Sequence, residues 1–136
     1  MNRMAVTLTC LALAGCSAAR TQETKAVNLG VNVTLAPGAS VSSKTGDVTV
    51  RFVAVIDDSR CPSDVTCVWA GEVKVMLAIK EASKAATQVE ISEGGTTVAG
   101  AYRVTLDRVE PLPTSAARIA PGNYRATLKI DKPGEP

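Results

Sequence analysis

The sequence predicts an all-β domain, an antiparallel sandwich of about seven short strands with a small β-barrel as the alternative. Three observations carry that expectation. Apolar residues alternate with polar ones in short runs, the period-two signature of strands with one covered face. Glycine and proline punctuate those runs at close intervals. No convincing amphipathic helix interrupts them.

The elements follow in chain order. In residues 27–35, Val27, Leu29, Val31, Val33 and Leu35 fall on one face of a single strand. Ala36-Pro37-Gly38 turns the chain, and residues 39–43 form a short candidate strand before a second turn at Gly46-Asp47. Along residues 48–56, Val48, Val50, Phe52, Ala54 and Ile56 share one side. The other side, Thr49, Arg51, Val53 and Val55, is mixed, which predicts partial cover on both faces. Val73, Val75, Leu77 and Ile79 then alternate with Glu72, Lys74, Met76, Ala78 and Lys80.

Residues 81–86 have helix-forming composition but are too few to stand as a helix, so a loop or a single turn is expected. A short strand follows over 88–92 with Val89 and Ile91 inward, closed by Glu93-Gly94-Gly95. Residues 96–98 lead to a strand over 101–109, on which Tyr102, Val104 and Leu106 alternate until Pro111 and Pro113 end it. Residues 114–120 cross over. Tyr124, Ala126, Leu128 and Ile130 mark the last strand, and 131–136 is a polar tail. The aromatic residues are Phe52, Trp69, Tyr102 and Tyr124, so the core must be built mainly from Val, Leu, Ile and Ala.

Two local patterns add to this. Ala120-Pro121-Gly122-Asn123-Tyr124, just before a strand, resembles the tyrosine corner of immunoglobulin-like sandwiches. The resemblance implies a Tyr124 hydroxyl bonded to upstream backbone and favours an immunoglobulin-like sandwich over a barrel. It lacks the usual Cys two positions later, where Ala126 stands.

At the other end of the chain, Leu13-Ala14-Gly15-Cys16 ends a short apolar stretch behind Arg3. This resembles the lipobox of a bacterial lipoprotein. The apolar stretch is far short of the roughly 18–20 residues that span a bilayer. The resemblance implies that residues 1–15 are a cleaved signal peptide and that Cys16 carries the lipid. Residues 16–26 are then a flexible tether, 27–130 the domain and 131–136 the tail. Several acyl chains anchor firmly where one holds only marginally. Ser17, in place of the Asp that marks retention in enteric bacteria, implies the outer membrane, facing the periplasm.

Composition narrows the function. The chain has 15 basic and 13 acidic side chains, one of the former being Arg3, scattered rather than clustered. Nothing in that balance suggests a nucleic acid partner. Cys10 leaves with the signal and Cys16 is used by the lipid, leaving Cys61 and Cys67 as an even pair in an oxidising compartment. They are expected to form a disulfide. The spacing is not Cys-x-x-Cys and the chain has no His, which argues against a redox pair or a zinc site. No metal or cofactor is expected.

One segment is distinctive. Asp-Ser-Arg-Cys-Pro (58–62) followed by Cys-Val-Trp-Ala-Gly (67–71) resembles a motif in a group of small secreted and lipid-anchored bacterial proteins, and the segments 102–106 and 124–128 fit the same group. The resemblance implies a shared fold and a disulfide loop and carries no activity with it. Physically the segment reads as a reinforced connection. Asp57 and Asp58 close a strand, Pro62 fixes the loop early, and Trp69 covers the staple. Gly71 allows close approach, and Arg60 forks with Asp57, Asp58 or Asp64. Read as a binding surface, the same loop offers Asp58, Arg60, Val65, Thr66 and Trp69, since a stapled loop loses little entropy on binding and Trp and Arg are enriched at hot spots. The three aspartates do not have the spacing of an EF-hand.

The chain is therefore expected to be a non-catalytic binding or structural module, held to a membrane by its lipid, with a protein or cell-wall partner. An inhibitor of a periplasmic or foreign hydrolase, acting through the 61–67 loop, is the alternative. A small enzyme with carboxylate chemistry is the second. Against it, Asp57 and Asp58 are adjacent strand residues and point to opposite faces.

Overall fold

The computed structural model describes residues 23–134. The signal segment, Cys16 and the first part of the tether lie outside the described residues. Among the described residues there are nine strands in two sheets rather than about seven. The strands are β1 (Thr24–Val27), β2 (Asn32–Leu35), β3 (Ser40–Ser43), β4 (Val48–Asp58), β5 (Val73–Glu81), β6 (Thr87–Ser92), β7 (Thr96–Ala99), β8 (Tyr102–Glu110) and β9 (Arg125–Asp131). One sheet has the order β1-β3-β4-β5-β6 and the other β2-β9-β8-β7. They face each other as a sandwich, and neither closes into a barrel.

The extra strands have local causes. The run over 27–35 is broken by Gly30, which adopts φ +78° and donates its N–H to the Ile130 carbonyl at 2.8 Å. The break carries the chain from one sheet to the other, so Leu29 and Val31 lie at the surface instead of in the core. It also explains the one departure from antiparallel pairing. The chain visits the second sheet as β2 before returning as β3, so β3 runs the same way as β1 and the two pair in parallel. That pairing brings Thr24, Lys25 and Ala26 into the sheet, so part of the segment expected to be tether belongs to the domain. At the other end Asp131 pairs with Arg103, placing the first residue of the expected tail in β9.

Bulges correct the facing of two strands. Val48, Val50 and Phe52 are fully buried as expected, but β4 shifts register between Phe52 and Ala54 and again between Val55 and Asp57. Each bulge inserts an unpaired residue and exchanges the faces beyond it. Val55 thus packs against the core, while Ile56 is left at the surface. A shift between Leu106 and Arg108 does the same in β8 and turns Val109 fully inward.

The core is aliphatic around a single Phe. Phe52, Leu77, Leu106 and Leu128 are its largest wholly buried side chains, with Ile130 and a set of valines around them. Burying each such side chain is worth about 1.5–3 kcal/mol before entropy is counted. Strand directions then define two poles. The end of β4, the start of β5, the end of β8 and the start of β9 meet at one pole, where the Cys61–Cys67 disulfide lies. The Gly30 turn and the end of β9 lie at the other.

Candidate functional site

The connection from β4 to β5, residues 59–72, is the candidate site. Its base continues the hairpin. The Ser59 N–H donates to the Glu72 carbonyl at 2.8 Å, and the Cys61 N–H to the Ala70 carbonyl at 2.9 Å. Gly71 makes this closure possible. It sits at φ +67°, and a Cβ there would collide with the Ser59 carbonyl oxygen. Within this frame Cys61 and Cys67 are joined, as expected, with Cα atoms 5.8 Å apart.

A second lock sits beneath the staple. Arg60 forks with Asp58, Nε to Oδ1 and Nη2 to Oδ2, each at 2.8 Å. Its remaining N–H groups cross to β8 and the segment after it, Nη1 donating to the Val109 carbonyl at 2.7 Å and Nη2 to the Pro111 carbonyl at 3.1 Å. Glu93 adds a carboxylate 3.8 Å from Nη1 and accepts the Val109 N–H at 2.7 Å. Tyr124, buried just ahead of β9, donates its hydroxyl to Asp58 Oδ2 at 3.0 Å. The expected backbone acceptor of a tyrosine corner is thus replaced by a carboxylate of the facing sheet, Asp58 at the end of β4.

Electrostatics follow from these contacts. Burial pushes the Asp58 carboxyl up, but the bonds from Arg60 and Tyr124 and the guanidinium charge outweigh it and hold it below its ordinary value. The Asp58 bond raises Arg60. Burial, then the bond to Asp58, raises the Tyr124 phenol. The side chains of Asp58 and Arg60 are only 10% and 9% exposed. Among the described residues no buried side-chain nitrogen or oxygen lacks a partner. Asp58 and Arg60 are therefore internal fasteners, not the exposed binding residues expected from the sequence.

The three aspartates divide. Asp58 takes Arg60, and Asp64 accepts the Ser115 N–H at 2.8 Å and its hydroxyl as well. Asp57 is exposed, with Lys74 as its register partner. The Ser63 N–H donates to the Pro113 carbonyl at 2.9 Å, so the loop is tied along its length to the segment after β8. An open cleft of about 630 Å³ lies between them, lined by Arg60, Pro62, Pro113, Arg118, Ile119 and Tyr124 among others.

The far side of the loop is different. Trp69 is 83% exposed and its neighbour Val68 92%. The expectation that Trp69 covers the staple is thus overturned. Trp69 follows the Cys67 closure and precedes Ala70, whose carbonyl accepts the Cys61 N–H, and its side chain stands in solvent. Val65 and Thr66 are exposed as expected. Leu112, also exposed, stands between Pro111 and Pro113, whose carbonyls accept from Arg60 and Ser63. Sequence reasoning missed Val68, Glu93, Leu112 and Ser115. Only Val68 had a local signal, as the residue between the closing Cys and the Trp. No protein-family model, no curated protein and no solved structure matches the chain.

Proposed function

We propose that this chain is an envelope lipoprotein anchored through Cys16, and that its β-sandwich is a non-catalytic binding module whose contact surface is the tip of the 59–72 loop. The observation that carries this reading is the outward Val68-Trp69 pair on a loop fixed by a disulfide and a buried ion pair. Exposed large apolar groups on a rigid support mark contact surfaces, and a pre-ordered loop loses little entropy on association. Trp is the residue type most enriched among binding hot spots.

A photo-crosslinking side chain placed at Val68 in the native envelope tests it, with Lys44 near the opposite pole as control. Adducts are expected at Val68 and not at Lys44. A loop that reacts with nothing at either position would remove the reading. The exposed Val65-Thr66 tip between the bonded cysteines favours hydrolase inhibition as a second reading. Micromolar excess of the domain over lysozyme and common proteases tests it, and unchanged rates would discard it.

A further inference from the structure

We infer that the Val68-Trp69 tip meets the lipid surface of the same membrane that holds the anchor, so that the sandwich stands with its disulfide pole toward the bilayer. This deepens the proposed function by naming what the loop contacts, and it rests on lipid attachment at Cys16.

The argument begins with strand direction. Thr24 pairs with Ser40 in parallel, and Ser40 pairs with Arg51 in antiparallel. β1 therefore runs opposite to β4. The chain ahead of Thr24 enters from the side toward which β4 proceeds, the side of Asp58 and the staple. From Arg51 to Cys61, which faces Ala70 beside Trp69, is ten residues, roughly 30 Å of bulged strand and loop. From Cys16 to Thr24 is eight residues, which span at most about 29 Å. The tether therefore reaches the level of the tip when it is drawn nearly straight or the sandwich leans toward the bilayer. The anchor is thus confined to the neighbourhood of the domain, and the pole nearest the chain's entry is the one that presents Trp69, Val68 and Leu112.

Chemistry selects the occupant. Trp is enriched where water meets acyl chain, its apolar ring on one side and its N–H toward the headgroups. A contact of two or three side chains is too small for a free protein interface of ordinary size. It suffices at a membrane, because a short tether makes the second contact intramolecular at millimolar effective concentration.

Trp69 is the only tryptophan, so its emission reports on the tip alone. Full-length lipidated protein, with Cys16 modification verified by intact mass, is reconstituted into phosphatidylcholine vesicles. The expected result is a blue-shifted Trp69 emission that is lost on brominated acyl chains and protected from aqueous iodide. Val68→Asp, which changes a side chain already in water, should return the emission toward its aqueous position while the protein still floats with the vesicles. Lipidated protein that floats with Trp69 still open to iodide would overturn the inference and leave the anchor standing. A mass without lipid would overturn the anchor and the inference with it. Protection seen in native envelopes but absent on pure vesicles, with Val68 crosslinks to a single polypeptide, would assign the tip to a protein partner instead.

Discussion

Asp58 and Arg60, two residues apart, hold each other through two parallel hydrogen bonds of 2.8 Å while Arg60 grips the Val109 carbonyl of the opposite sheet and the Pro111 carbonyl just beyond it. The pair therefore fastens both the loop and the sandwich. Removing one partner leaves a largely covered charge unpaired at the wall of the open cleft. Arg60→Ala is expected to cost about 2–4 kcal/mol, less than for a fully buried pair because the cleft lets water reach the stranded carboxylate, read from the urea midpoint. A loss below about 1 kcal/mol would rank the pair with ordinary surface bridges. The double replacement Asp58→Leu with Arg60→Leu should cost less than the sum of the singles, since neither charge is then stranded.

The same pair sets a pH dependence. The Asp58 carboxyl lies below its ordinary value in the folded chain, so the folded state binds fewer protons than the unfolded one in that range. Its contribution is complete above the unfolded value of about 3.9 and is lost as pH falls through the lower folded value. Urea stability should decline below about pH 4, and Asp58→Asn should make that acid limb shallower. Asp64, lowered by its bonds from Ser115, and Glu72, lowered first by its bond from Ser92, act in the same direction at exposed positions and should matter less.

Loss of the disulfide is a milder change. Cys61 and Cys67 close a short ring, worth about 2–2.5 kcal/mol on the chain-entropy account. The Arg60 bonds, the Ser63–Pro113 bond and the Asp64–Ser115 contact remain without it. Cys61→Ser with Cys67→Ser should lower stability by about that amount while far-UV circular dichroism remains that of a folded β-protein. Complete unfolding on reduction would show that the staple, not the ion pair, holds this pole.

Trp69 separates packing from contact. Because it is 83% exposed, Trp69→Ala should change stability by no more than about 0.5 kcal/mol in thermal or urea unfolding. A larger loss would mean that the ring packs on its own domain. Crosslinking at the neighbouring Val68 should fall in the same variant.

Much of the fold is legible in alternation alone. Val73, Val75, Leu77 and Ile79, and again Ala126, Leu128 and Ile130, point inward as their period predicts. The misplaced residues lie where a backbone event changes the phase. The β4 bulges occur in a run whose apolar residues occupy both faces, Val53 and Val55 beside Ala54 and Ile56, so no polar residue signals the shift, whereas the break at Gly30 interrupts an otherwise regular alternation and is marked only by the glycine itself. The site was half legible. The ring of Cys61 and Cys67 and the need for Gly71 follow from local chemistry. The choice of Asp58 over Asp57 and Asp64 for Arg60 depends on carbonyls of Val109 and Pro111, roughly fifty positions away in the chain. Trp69 misled because its apolar bulk suggested shelter, whereas its side chain stands 83% exposed on the loop.

The parallel union of β1 with β3 has a mechanical consequence. A tug on the N-terminal end draws β1 along its own axis, so its four-residue ladder is strained in shear, with every rung resisting together. Peeling from the edge, one rung after another, would require a sideways force instead. A leash fastened at that end would thus transmit load into the sheet at its stiffest angle.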